Sequence, residues 1–211
     1  MRRGLTVVLA VLSSLVVSAG LLTVPAHATS THATSSDATA SQRYAMPVEA
    51  YPPYQPQKTC ARKDKPGTVA LGRWLVARGG VYGGTLRACS SGGQSEHKDG
   101  RAFDWMLDAS DPDDRAIADA FLIEAFADDE LGDTDALARR MGIMYVIWND
   151  RMYAAWDGFE PTKYLSSGCR TRRACSVTLR HRDHVHVSLS KAGARGLTSW
   201  YVEQALAPPT A

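Results

Sequence analysis

The chain carries almost no net charge, few histidines, few cysteines and no long apolar run beyond about residue 24. Lysine and arginine total 24 against 22 acids, a formal +2. Residues 1–28 hold Arg2 and Arg3 and no acid, which leaves 22 basic residues (24 less those two) against 22 acidic ones. A neutral chain has no electrostatic footprint for nucleic acid, and none is expected as a partner. No Cys-x-x-Cys pair occurs, which argues against zinc held by thiolates. No internal repeat is present, and no later segment has the length and apolarity to span a membrane.

What is there begins with Arg2-Arg3, an apolar stretch from Leu5 to about Val24, and the small-x-small site Ala26-His27-Ala28. This pattern predicts a signal peptide over residues 1–28, cut after Ala28, with no stable membrane insertion afterwards. Left uncut, the same stretch is long enough to act as an anchor. Residues 29–58 are rich in Ser, Thr, Ala and Pro without apolar periodicity, and read as a disordered linker. A single domain over residues 59–207 follows, large enough for one core. The four cysteines, Cys60, Cys89, Cys169 and Cys175, are an even number in an exported chain, so disulfides are expected. Of the three possible pairings, Cys60–Cys89 and Cys169–Cys175 each close a local loop and are favoured.

Within the domain, Thr68 to Arg78 can place Val69, Leu71, Trp74 and Leu75 on one helical face, with Gly79-Gly80 as a stop. Val81 to Cys89 is turn-rich. Arg101 to Leu107 alternates as a strand, with Ala102, Asp104 and Met106 on one face and Phe103, Trp105 and Leu107 on the other. Asp111-Pro112-Asp113-Asp114 is a helix start: a capping acid, proline in the first turn and acids at the positive dipole end. Ile143 to Trp148 and Met152 to Trp156, joined at Asn149-Asp150, read as a hairpin. Residues 157–180 read as a long polar loop, His184 to Leu189 as a strand and Thr198 to Ala207 as a closing helix. Strands and helices do not alternate regularly, so an α+β fold is expected, a small antiparallel sheet flanked by helices.

Leaving aside His27 and His32, the remaining histidines fall in two clusters. One is the run Ser95 to Asp104, with His97 and Asp104 either side of Gly100. The other is His181-Arg182-Asp183-His184-Val185-His186. Side chains two apart on a strand share a face, so His184 and His186 point together. If the two strands are neighbours, His97, Asp104 and one of those histidines can converge. Two imidazoles and one carboxylate leave a tetrahedral zinc one open position, the pattern of a catalytic site. Zinc lowers the pKa of a bound water towards ~7, and a nearby carboxylate can take its proton. Trp105, Trp148 and Trp156 can line a groove but suit a core better. Arg170, Arg172, Arg173, Arg180 and Arg182 suit a solvated basic loop.

The run Ser95-x-His97-x-x-Gly100-x-Ala102-x-Asp104 resembles the zinc motif of the D-alanyl-D-alanine carboxypeptidase and hedgehog superfamily, and His181-x-Asp183-His184-x-His186 resembles its downstream motif. The domain as a whole is similar to an actinobacterial secreted branch of that superfamily. The resemblance implies one zinc ion held by His97, Asp104 and His186. It implies Asp183 as general base, where many relatives carry Glu, and His184 as the residue that polarises substrate or stabilises charge. His181 matches a histidine that some members place two before the base. Arg87 corresponds to an arginine that binds the scissile carbonyl, although Gly84-Thr85-Leu86-Arg87 departs from the usual Gly-Tyr-Arg-Ser. The implied activity is a secreted or cell-wall zinc peptidase, a monomer, cutting amide bonds in peptidoglycan stem peptides. Two other readings stay open: a zinc-bearing cell-wall-binding module without turnover, and a domain whose metal is purely structural.

Overall fold

A computed structural model describes residues 46–206. The predicted signal peptide, the linker up to residue 45 and Ala207 lie outside the described residues. The part of that linker that is described, residues 46–58, has no helix or strand but is pinned along the domain. Arg140 donates to the Met46 carbonyl at 2.7 Å, Ser199 donates to the Glu49 carboxylate, and Tyr51 bonds Asp135. Arg101 reaches the Gln55 carbonyl at 2.6 Å, and Lys58 and Thr59 donate to Asp99. This corrects the disordered reading for residues 46–58. Their polar side chains and open backbone find partners on the domain, which low apolarity alone could not reveal.

The elements run α1 (Pro66–Val76), β1 (Val81–Gly84), β2 (Ala102–Met106), α2 (Pro112–Ala125), α3 (Ala136–Met141), β3 (Ile143–Trp148), β4 (Arg151–Ala154), β5 (Pro161–Lys163), β6 (Val185–Leu189), α4 (Lys191–Ala194) and α5 (Ser199–Leu206). The fold is α+β, with six antiparallel strands in the order β1-β2-β6-β3-β4-β5. The last strand of the chain therefore sits at the centre. α2 starts as the residues dictate: the Asp111 side chain accepts from Asp113 N, and Pro112 stands at the first turn. Asn149 and Asp150 both take positive φ (46° and 64°), which suits the two-residue turn joining β3 to β4.

Two expectations fail at the sheet edges. Val81–Gly84 is an edge strand rather than a turn, paired to β2 through a bulge between Tyr82 and Gly84. Within the expected loop, Pro161–Lys163 pairs with β4. Both are short, exposed edge strands without apolar alternation, so periodicity gives them no signal.

One face of the sheet is covered by helices. Phe103, Trp105, Val185, Val187, Leu189, Ile143, Val146 and Trp148 meet Leu71 and Leu75 of α1, Phe121 and Leu122 of α2, Met141 of α3, and Trp200 of α5. The other face carries a small cluster of Met144, Tyr145, Ile147 and Ala154. Strict alternation would send Met144 and Tyr145 to opposite faces. The register irregularity between Ile143 and Tyr145 puts both on this second face. The disulfides are Cys60–Cys89 and Cys169–Cys175, the favoured pairing, and they fit an oxidising compartment. Among the described residues, no helix is long and apolar enough to cross a membrane.

Candidate metal centre

Strands β2 and β6 are neighbours, and Asp104 lies directly opposite His186. His97 comes from the short 3₁₀ helix Glu96–Asp99, which ends at Gly100 with φ 68°. That left-handed residue turns the chain from the helix into β2 within one step, so the two ligands seven positions apart reach the same point. Lys98 anchors the helix from its other side, donating to the carbonyls of Gly92 and Gly93.

Three atoms converge on the second face. His97 Nε2 lies 3.0 Å from Asp104 Oδ1, His186 Nδ1 lies 3.0 Å from the same oxygen, and the two nitrogens are 3.2 Å apart. Ligands about 2.0–2.1 Å from a tetrahedral metal stand about 3.3 Å from one another, so the triangle has the right size. The outer nitrogens decide its chemistry. His97 Nδ1 donates to the Thr85 carbonyl at 3.2 Å, and a carbonyl can only accept. Its proton is thereby placed on Nδ1, leaving the Nε2 lone pair turned inward. His186 Nε2 bonds Ser188 Oγ at 2.9 Å, leaving Nδ1 for the centre. The inward lone pair of His97, the Nδ1 of His186 and the Asp104 carboxylate then face one another. A cation is what such an arrangement accommodates, and these three residues can hold a metal ion.

Burial alone would raise the Asp104 carboxyl, but the bonds from His186 and His97 outweigh it and hold the group well below the ordinary carboxylate range. Burial pushes the His186 imidazole down, against the pull of Asp104. Both shifts keep the centre in the state a metal requires, a carboxylate beside neutral imidazole.

The other predicted residues gather around this triangle. His184 lies on the same face, with Nε2 3.7 Å from Asp104 Oδ1. Its Nδ1 bonds Asp183 Oδ1 at 2.7 Å, and the second oxygen of Asp183 accepts from Thr178. Strand β6 begins only at Val185, so Asp183 is free of strand alternation and sits behind His184. His181 packs its ring 4.7 Å from that of His184 and 5.5 Å from that of His186, and these three histidines form a second group able to hold a metal. Burial, with His186 and His184 alongside, pushes His181 down to about 2, so its imidazole is neutral. The Arg87 guanidinium, half exposed, stands 3.9 Å from Asp104 Oδ2 at the mouth of the centre. Trp105 and Trp148 are core residues, whereas Trp156 is exposed and touches Tyr145 and Tyr54 edge-on.

Sequence reasoning missed Thr85, Ser188, Tyr145 and Glu96. Ser188 was within reach of it, being two residues beyond His186 on an alternating strand. The Thr85 carbonyl was not, since a main-chain acceptor leaves no mark in side-chain identity.

A family model described as VldE, C-terminal domain, matches residues 60–175. The match takes in Arg87, His97 and Asp104 and ends before His181. No curated protein and no solved structure matches the chain.

Proposed function

The chain belongs to the VldE C-terminal domain family, and within it we propose that this protein is an exported zinc metallopeptidase acting on peptidoglycan stem peptides. The observation that carries the reading is the close triangle of His97 Nε2, Asp104 Oδ1 and His186 Nδ1. The substrate class comes from the likeness of Ser95–Asp104 and His181–His186 to the D-alanyl-D-alanine carboxypeptidase and hedgehog motifs. Export is supported by the basic-apolar start of the sequence and by the two disulfides.

Zinc, when bound, supplies Lewis acidity and brings a water to a pKa of about 7. The chain's own residues do the rest. His184, with Nδ1–H held by Asp183, presents the Nε2 lone pair to the centre and accepts a proton as water attacks the amide carbonyl. Asp183 keeps that tautomer and stabilises the imidazolium, and the proton passes on to the leaving amine. Arg87 meets the carbonyl or carboxylate of the substrate, and neutral His181 hydrogen-bonds to it.

One observation favours a second reading, a zinc-bearing cell-wall-binding module without turnover. Both oxygens of Asp183 are already engaged, by Thr178 and His184. Incubating the purified protein with peptidoglycan fragments separates the two. Release of D-alanine or splitting of cross-links, abolished by chelation and restored by zinc, is the expected result. Asp183→Asn is expected to keep zinc and lose roughly 10²–10⁴-fold in turnover. Wall binding without cleavage would establish the module instead, and full activity of Asp183→Asn would remove that residue from the mechanism.

A further inference from the structure

Arg87 stands at the mouth of the centre, 3.9 Å from Asp104 Oδ2, in the middle of a long loop. Residues 85–95 join β1 to the 3₁₀ helix Glu96–Asp99 without helix or strand of their own. The two ends of this loop are fixed. Thr85 Oγ1 donates to Asp64, and the Thr85 carbonyl accepts from His97 Nδ1. Lys98 donates to the carbonyls of Gly92 and Gly93, and Gln94 donates to that of Gln57. The middle lacks such anchors, for Leu86, Arg87, Ala88 and Cys89 are all exposed. Among the described residues, one main-chain bond ties residues 86–91 to the rest of the domain. It runs from Arg87 N to the His97 carbonyl, and at 3.4 Å it is long for a hydrogen bond.

What holds the middle is covalent. Cys89, two residues after Arg87, is joined to Cys60. Cys60 is in turn fastened on both sides to the ligand run. Ala61 N donates to the Lys98 carbonyl at 2.6 Å, and Thr59 donates through its N–H and its hydroxyl to Asp99. The disulfide therefore ties the arginine loop to the residues between His97 and Asp104. An arginine on an untied loop loses more freedom on meeting a substrate carbonyl or carboxylate, and binds it less well. We propose that Cys60 and Cys89 are positioning residues, whose disulfide holds Arg87 over the metal centre and so sets substrate affinity rather than metal affinity. The proposal rests on the peptidase reading for the substrate that Arg87 meets. Neither cysteine touches substrate or metal in it.

Both half-cystines are exposed, so the bond can be opened in the folded protein. A water-soluble phosphine does this: it takes the oxygen of a water and becomes its oxide, while the two sulfurs gain two electrons and two protons. Alkylation then keeps the thiols apart. The zinc-loaded full chain with Cys169→Ser and Cys175→Ser serves as the parent, since Cys60–Cys89 is then its only disulfide. Opening the bond is expected to raise KM for a stem peptide by about 10–100-fold, with kcat and zinc affinity in chelator competition nearly unchanged. Arg87→Ala is expected to raise KM by a similar factor, and opening the bond in that variant to add nothing further. An unchanged KM, or the same loss with and without Arg87, overturns the proposal. Backbone ¹⁵N relaxation at Arg87 and Ala88 reads the same point without substrate. Order parameters of about 0.85 are expected to fall below about 0.6 once the bond is open. A protein that cleaves no stem peptide removes the peptidase reading, and amides that stay rigid after reduction overturn the positioning role in either case.

Discussion

The positions between the ligands are as constrained as the ligands. Asp99 receives Thr59 N–H and O–H and the guanidinium of Arg101, and those bonds hold its carboxyl low despite the burial that would raise it. Arg101 spends its remaining donors on the carbonyls of Leu189 and Gln55, tying β2 to the end of β6 and to the segment ahead of the domain. The pair is almost wholly buried, with side chains 2% and 4% exposed. Removing one partner of such a pair leaves an uncompensated charge, a loss of about 3–5 kcal/mol. Arg101→Met is therefore expected to lower the unfolding free energy from denaturant titration by that amount, and a change within about 0.5 kcal/mol, as at an ordinary surface site, would contradict it. At this scale the sequence was most legible for residues whose chemistry is in the side chain: His97, Asp104, His184 and His186 are brought together on one face. Lys98, Asp99 and Arg101 look like solvated residues of a turn because nothing in their identity announces the carbonyls and the carboxylate waiting for them.

Among the elements, α1 links the core to the centre. Leu71 and Leu75 pack into the helix-covered face, and Thr68 Oγ1 donates to the Gly100 carbonyl at 2.8 Å, steadying the turn between the first two ligands. Gly67 lets this helix lie against α4: a Cβ there would fall 1.9 Å from the Gly193 carbonyl oxygen, a backbone atom that cannot step aside. Gly67→Ala should force the two helices apart. The expected cost is about 1–3 kcal/mol in stability together with weaker zinc binding, measured by denaturation and by chelator titration. Loss of stability with wild-type zinc affinity would show that α1 and the turn are uncoupled. Helices and central strands were legible here because they combine apolar periodicity with caps, as Asp111-Pro112 does for α2. The edge strands β1 and β5 were not, since Val81-Tyr82-Gly83-Gly84 and Pro161-Thr162-Lys163 are held by main-chain ladders to partners that local sequence cannot name.

For the molecule as a whole, acid acts through two groups whose windows overlap. His181 has its folded value depressed from 6.5 to about 2 by burial and its histidine neighbours. The unfolded chain therefore takes up the proton first, and stability is lost as pH falls below 6.5. Asp150, held below its ordinary 3.8 by the Arg180 guanidinium, follows the same sign lower down: its contribution is complete above 3.8 and lost as pH falls through the folded value. Thermal midpoints of chelator-treated protein should thus begin to fall below about pH 7, keep falling as the pH drops, and fall more steeply below about pH 4. A flat profile between about pH 7 and 5 would exclude the buried neutral state of His181. The α+β class was readable from the order of the elements, but the strand order was not, because it depends on where the last strand inserts. That insertion has a consequence for how the protein comes into being. β6 is the last strand synthesised, yet it separates β1-β2 from β3-β4-β5 and brings His184 and His186 with it. A chain that has emerged only as far as residue 183 holds two partial ladders with bare inner edges and two of the three ligands, His97 and Asp104. Such edges invite pairing with other chains, and the fold cannot seal them until β6 has been made. The topology thus holds back both the closure of the sheet and the assembly of the metal centre until this one strand is in place.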